Sequence, residues 1–108
     1  MDSAELRRAF RAGLVQELRV VWPILSGLMS LMLLMGFVIG YIEGWSLGDA
    51  AYFAFVSGLT IGYGDLVPKG PVSRVLAICI GFSGILLTGL VAAVAVRALG
   101  GLVDRDKA

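Results

Sequence analysis

Two stretches carry no charged side chain: residues 20–42 (VVWPILSGLMSLMLLMGFVIGYI) and residues 75–96 (VLAICIGFSGILLTGLVAAVAV). An α-helix rising about 1.5 Å per residue needs roughly 20 apolar residues to cross about 30 Å of hydrocarbon. Each run slightly exceeds that length, so each predicts a membrane-spanning helix. Trp22 and Trp45 bracket the first run and Tyr41 reinforces its far end, where amphipathic rings favour the headgroup level. Pro23 falls near the predicted start of this helix, where a missing N–H costs little.

Between the two runs, residues 50–61 are apolar but cover only about half a crossing. This segment must enter the membrane and return on the same side. Ser46-Leu47-Gly48-Asp49 has the form of a capping box, and Gly58 loosens the pattern before a glycine-rich stretch. The spacing predicts a short re-entrant helix over 47–59, followed by non-helical backbone. Tyr52, Phe53, Phe55 and Val56 also suit a strand, but a strand without partners cannot sit in lipid.

Upstream of the first run, Leu6, Phe10, Leu14 and Leu18 recur every fourth position, with Arg7, Arg8, Arg11 and Glu17 on other faces. Residues 1–19 thus read either as an amphipathic helix along the membrane surface or as an extension of the first span into water. Their charges also set them apart from a cleavable leader. Basic residues cluster outside the spans: Arg7, Arg8, Arg11 and Arg19 before the first, Arg97, Arg105 and Lys107 after the second, with only Lys69 and Arg74 between. The expected orientation therefore has both termini in the cytoplasm of a multi-pass protein of the cell membrane.

Composition narrows the chemistry. Of 108 residues, 58% are hydrophobic, too many for an ordinary soluble domain, and a chain this short implies a subunit that oligomerises. The net charge of +1 gives no reason to expect nucleic acid as a partner. Cys79 is the single cysteine and histidine is absent, which argues against a transition-metal site, imidazole catalysis or an intrachain disulfide. No nucleophile and base pair stands out among the membrane residues, so an enzyme is not expected.

The glycine-rich stretch is Thr60-Ile61-Gly62-Tyr63-Gly64-Asp65. Glycines at alternate positions permit backbone that alternates between ordinary and left-handed conformations, which aims successive carbonyls to one side. At membrane depth such carbonyls are tolerated only where they line a wet cavity or are buried in protein. One chain cannot enclose a column of oxygens; a symmetric ring of chains can. A neutral column suits a monovalent, readily dehydrated cation, and the absence of charge from residue 50 to residue 64 argues against a divalent-cation filter, which uses rings of Asp or Glu. The short helix would turn its negative C-terminal pole toward an arriving cation.

These six residues resemble the filter of potassium channels, the known case of carbonyl-based selection, differing from its commonest form by Ile61 for valine. The likeness covers about residues 20–100 and is strongest to the two-transmembrane bacterial potassium channels. It implies an all-α membrane protein with an outer helix at 20–42, a pore helix at 47–59, a filter at 60–65 and an inner helix at 71–99, and a cytoplasmic tail at 100–108. It further implies a homotetramer in a lipid bilayer, with potassium as the transported ion and no cofactor. By position, the carbonyls of Thr60, Ile61, Gly62 and Tyr63, with the Thr60 hydroxyl, would replace the ion's hydration shell. The Tyr63 ring would brace the filter against neighbouring pore helices, Gly64 would support it and Asp65 would lie at the outer mouth. Gly84 matches the inner-helix hinge, and Arg74 a basic residue at that helix's outer end. The chain departs from the family at Leu59, where a second threonine is usual, at Phe53, where tryptophan is common, and at Val56, where some members place a glutamate that bonds the outer aspartate.

Gly81 and Gly84 lower local helix stability, which fits bending, yet the same glycines fit close helix packing. Gly36 and Gly40 form a pair spaced for packing. Ile85, Thr88 and Ala92 share a helical face, and Val96 continues it; they are candidates to line a cavity and an apolar gate, or else plain packing positions. Two other functions stay open at the level of sequence: a weakly selective sodium and potassium pore, and a non-conducting structural subunit. A regulatory domain, fused or separate, would lie outside this sequence.

Overall fold

The computed structural model describes residues 2–107, the last three as backbone alone. Three helices follow in order, α1 (Ser3–Glu43), α2 (Leu47–Gly58) and α3 (Pro71–Lys107), and the described residues contain no strand. The fold is all-α, and α1 and α3 are both long and apolar enough to cross a membrane.

Each helix end has a local cause. Asp2 opens α1 by accepting the Glu5 N–H at 2.8 Å. Gly44 ends it in the left-handed region (φ 74°), while the Trp45 N–H reaches back to the Gly40 carbonyl at 2.8 Å, the Schellman closure of a helix. Ser46 caps α2 through its side chain, which accepts from the Asp49 N–H at 3.1 Å. Pro71 takes the first position of α3, where proline is pre-organised.

Three boundaries differ from the sequence expectation. Helix α1 begins 17 residues before the uncharged run, because nothing between Asp2 and Val20 interrupts the four-residue periodicity; residues 3–19 are thus a continuous extension of the span, and Pro23 lies inside a helix. Helix α2 stops at Gly58, with Leu59 as its cap rather than its last turn. Helix α3 continues through Gly100 and Gly101 to Lys107, so most of the expected tail is helical. Two glycines cost about 1 kcal/mol each in a helix interior, less than breaking and restarting a helix between good helix formers. Met1 and Ala108, which the expected segments included, lie outside the described residues.

The chain forms two compact units. Residues 26–88 make one, and the residues up to Leu25 with those from Gly89 onward make the other. In the first, α1 and α2 meet through small residues: a Cβ on Gly36 would lie 2.8 Å from the Ala54 Cβ, and one on Gly40 would lie 2.6 Å from the Ala50 Cβ. Only glycine allows that approach. Met32, Ile39 and Ile80 are fully buried in this unit, Phe53, Ala54 and Val56 are buried on α2, and Trp45 meets Phe53 edge to face with centroids 5.1 Å apart. In the second unit Leu25, Val94 and Ala98 are buried, and Arg97 pairs with Glu17 at 3.6 Å. That pair is largely exposed and adds little stability.

Candidate functional site

The glycine-rich stretch leaves α2 directly and borrows its final turn. The Leu59 N–H donates to the Phe55 carbonyl at 2.9 Å and the Thr60 N–H to that of Ser57 at 3.2 Å. The Ile61 and Gly62 N–H groups both reach the Val56 carbonyl, at 2.9 and 3.3 Å. The orphan carbonyls of the helix end are thereby satisfied by the segment that follows. No peptide bond is cis, and in a trans peptide N–H and C=O point in opposite directions. The carbonyls of Thr60 and Ile61, whose peptide N–H partners point at α2, therefore face away from it.

The dihedral angles extend this arrangement. Thr60, Gly62 and Gly64 have φ of 62°, 60° and 80°, whereas Ile61 and Tyr63 between them do not enter the positive region. Strict alternation of this kind turns successive carbonyls to a common side. The Thr60 hydroxyl donates to the Leu59 carbonyl at 2.6 Å, which leaves the lone pairs of its oxygen available to a cation. Residues 60–65 are exposed, with Tyr63 at 70%, so within one chain nothing covers the column or the tyrosine ring.

Two supports were not read from the sequence. Tyr52, on α2, sets its hydroxyl beside the Asp65 carboxylate and near Tyr63. It stands on the same helix as Val56. Glu43, the first charge beyond the uncharged run, accepts the Lys69 N–H at 2.6 Å and the Gly70 N–H at 2.9 Å through one oxygen, Oε1. Both contacts join residues far apart in sequence, so no local spacing announces them. Arg74 adds a third tie, its Nε donating to the Pro68 carbonyl at 3.3 Å.

On α3, Gly84 packs against Gly58 so closely that a Cβ there would overlap the Gly58 carbonyl, while a Cβ on Gly81 would meet nothing within 4 Å. Gly84 therefore has a packing reason to lack a side chain, just where α2 gives way to the column. Ile85 and Thr88 are exposed on the first unit; Ala92 and Val96 are exposed on the second. Among the described residues, no group of three or more His, Cys, Asp or Glu side chains could hold a metal ion.

The chain resembles several known proteins in sequence. The family described as "Ion channel" matches residues 27–100. Two-pore potassium channel 1 of Arabidopsis thaliana is 45% identical over 60 residues, 56% of this chain and 16% of that protein. Potassium channel subfamily K member 4 of Mus musculus is 43% identical over 56 residues, 52% of this chain and 14% of that protein. A voltage-gated potassium channel of Aeropyrum pernix is 42% identical over 40 residues, 37% of this chain and 14% of that protein. The chain thus spans less than a fifth of the length of these curated relatives. No solved structure gives a significant match.

Proposed function

The chain belongs to the ion channel family, and we propose that it forms a potassium-selective pore in which four copies surround one column of backbone carbonyls. The observation that carries this reading is the alternation of φ at Thr60, Gly62 and Gly64 together with amides turned back onto α2. Four such segments around an axis would offer stacked rings of oxygens. A potassium ion entering the rings exchanges water ligands for carbonyl ligands, so dehydration is offset and passage is passive. The relatives compared above bear potassium in their printed names, which supports the choice of ion.

In this arrangement the carbonyls of Thr60, Ile61, Gly62 and Tyr63 with the Thr60 hydroxyl bind the ion, Gly64 and Asp65 complete the outer end, and α2 directs its negative pole inward. Ile85, Thr88 and Ala92, all exposed, are the residues proposed to line the cavity, with Val96 as the apolar constriction. Of the most apolar part of α1 and α3, only 28% and 22% is buried within one chain, which leaves extensive apolar surface for lipid and for neighbouring copies. The basic residues flanking the spans support an orientation with both termini in the cytoplasm, in the plasma or inner membrane of the cell. A regulatory domain, where present, acts from outside the pore described here.

The test is flux of rubidium or potassium into vesicles containing the purified protein, with reversal potentials in mixed potassium and sodium. The proposal expects a reversal potential that follows the potassium gradient, and loss of flux in Gly62→Ala, whose Cβ raises the left-handed conformation by roughly 1–2 kcal/mol. A reversal potential that follows sodium equally makes the pore weakly selective. Absence of ion flux from well-folded protein makes it a structural subunit.

A further inference from the structure

We infer that the groove between α1 and α3, on the side of the chain termini, is a site for one phospholipid of the phosphatidylethanolamine type, whose phosphate meets Arg97 and whose primary ammonium meets Glu17. The site needs α1 and α3 to span the membrane and does not depend on ion conduction. It lies within the unit formed by the residues up to Leu25 and those from Gly89 onward. The groove offers about 290 Å³, near the lower end of ligand-pocket volumes, and is lined by Val21, Leu90, Ala93 and Val94 together with Glu17 and Arg97. Past the same two charges a smaller recess of about 120 Å³ continues between Gly13, Gln16, Ala98 and Gly101. An apolar trough that leads past one base and one acid into a recess has the order of parts of a zwitterionic lipid.

The pair itself is arranged as such a headgroup requires. Arg97 and Glu17 touch at 3.6 Å through one nitrogen and one oxygen, and neither has a further polar partner among the described residues. The remaining guanidinium N–H groups and the second carboxylate oxygen are left to a ligand. Arg97 directly follows the uncharged run that ends at Val96, whereas Glu17 stands three residues before the run that begins at Val20. Measured along each helix from its own run, Arg97 is nearer the hydrocarbon by about 3 Å. The phosphate of an ethanolamine lipid likewise lies between the acyl chains and the ammonium. Val21 is four residues from Glu17, and Val94 and Ala93 are three and four from Arg97, so the apolar walls continue the same helix faces inward.

These charges also select among lipids. A wholly anionic head gains Arg97 but faces the Glu17 carboxylate. A choline head carries both charges, yet its trimethylated nitrogen has no N–H to donate to Glu17. The exposed Arg8, Arg11 and Arg19 lie on another face of α1, where they would attract anionic lipid without entering the groove.

The experiment titrates the full chain, purified as its assembly in detergent and stripped of lipid, with ethanolamine, choline and anionic glycerol phospholipids of identical acyl chains, and reads bound lipid by native mass spectrometry. Wild type should prefer the ethanolamine lipid to the choline lipid by about tenfold, the effect of one charge-assisted hydrogen bond, and should also prefer it to the anionic lipid. Glu17→Gln should remove the preference for ethanolamine over choline, and Arg97→Gln should weaken both lipids together. The exchange of Glu17→Arg with Arg97→Glu keeps an ion pair but reverses its order along the groove, so it too should lose the preference. Equal binding of ethanolamine and choline lipids by wild type overturns the inference. Tighter binding of the anionic lipid does so as well, and marks the arginine face of α1 as the site. A Glu17→Gln or exchange variant that keeps the wild-type preference also overturns it, and leaves the pair as a structural tie between helices. The same spectra give the mass of each assembly; where a variant does not assemble, the order of the three lipids on wild type decides.

Discussion

At Thr60, Gly62 and Gly64 the backbone takes positive φ, and the three positions differ in cost. Glycine enters that region freely, whereas a β-branched residue there pays about 1–2 kcal/mol. Thr60 is held in place by its N–H on the Ser57 carbonyl and its hydroxyl on the Leu59 carbonyl. Local strain at the inner end of the column is thus matched by local bonds, as is common where backbone geometry carries function. A second residue-scale contrast separates packing from bending on α3. Gly84→Ala should destabilise the protein by about 1–3 kcal/mol, because its methyl group meets the Gly58 backbone. Gly81→Ala, with open space around it, should leave stability unchanged or raise it by up to about 1 kcal/mol. Thermal denaturation in detergent reads both; equal effects from the two substitutions would remove the packing explanation for Gly84. The alternating glycines were legible in the sequence because their meaning is local. The left-handed Thr60 was not, since nothing in its side chain favours that conformation.

At the scale of elements, α2 is twelve residues long and depends on what surrounds its ends. An isolated helix of this length is marginal in water, so the Ser46 cap and the glycine-to-alanine contacts with α1 matter to it more than they would to a long span. Ser46→Ala should cost about 1 kcal/mol of stability, by loss of the bond to the Asp49 N–H. Chemical denaturation monitored by circular dichroism measures this, and an unchanged midpoint would show that packing alone sets the start of α2. The Ser46-to-Asp49 pattern and the two uncharged runs were readable because capping and hydrophobicity act over a few residues. The same capping logic at Asp2 and Glu5 was available in the sequence and marks the true start of α1. The contacts from Glu43 to Lys69 and Gly70, and from Gly58 to Gly84, were not readable, because they join elements through space without any periodic signature.

At the scale of the whole molecule, one chain presents an incomplete object: a carbonyl-bearing stretch open to its surroundings and two long helices with most of their apolar surface uncovered. Symmetric assembly would complete both at once, since copies placed around an axis would face their oxygens inward and bury apolar helix faces against each other and lipid. Fourfold closure around a row of bound ions is therefore the claim on which the functional account turns. The most direct measurement is anomalous scattering from crystals of the protein grown with rubidium or thallium. The account predicts a row of anomalous peaks on a fourfold axis, level with the carbonyls of Thr60, Ile61, Gly62 and Tyr63; an assembly of another symmetry, or an axis without such peaks at that level, would contradict it.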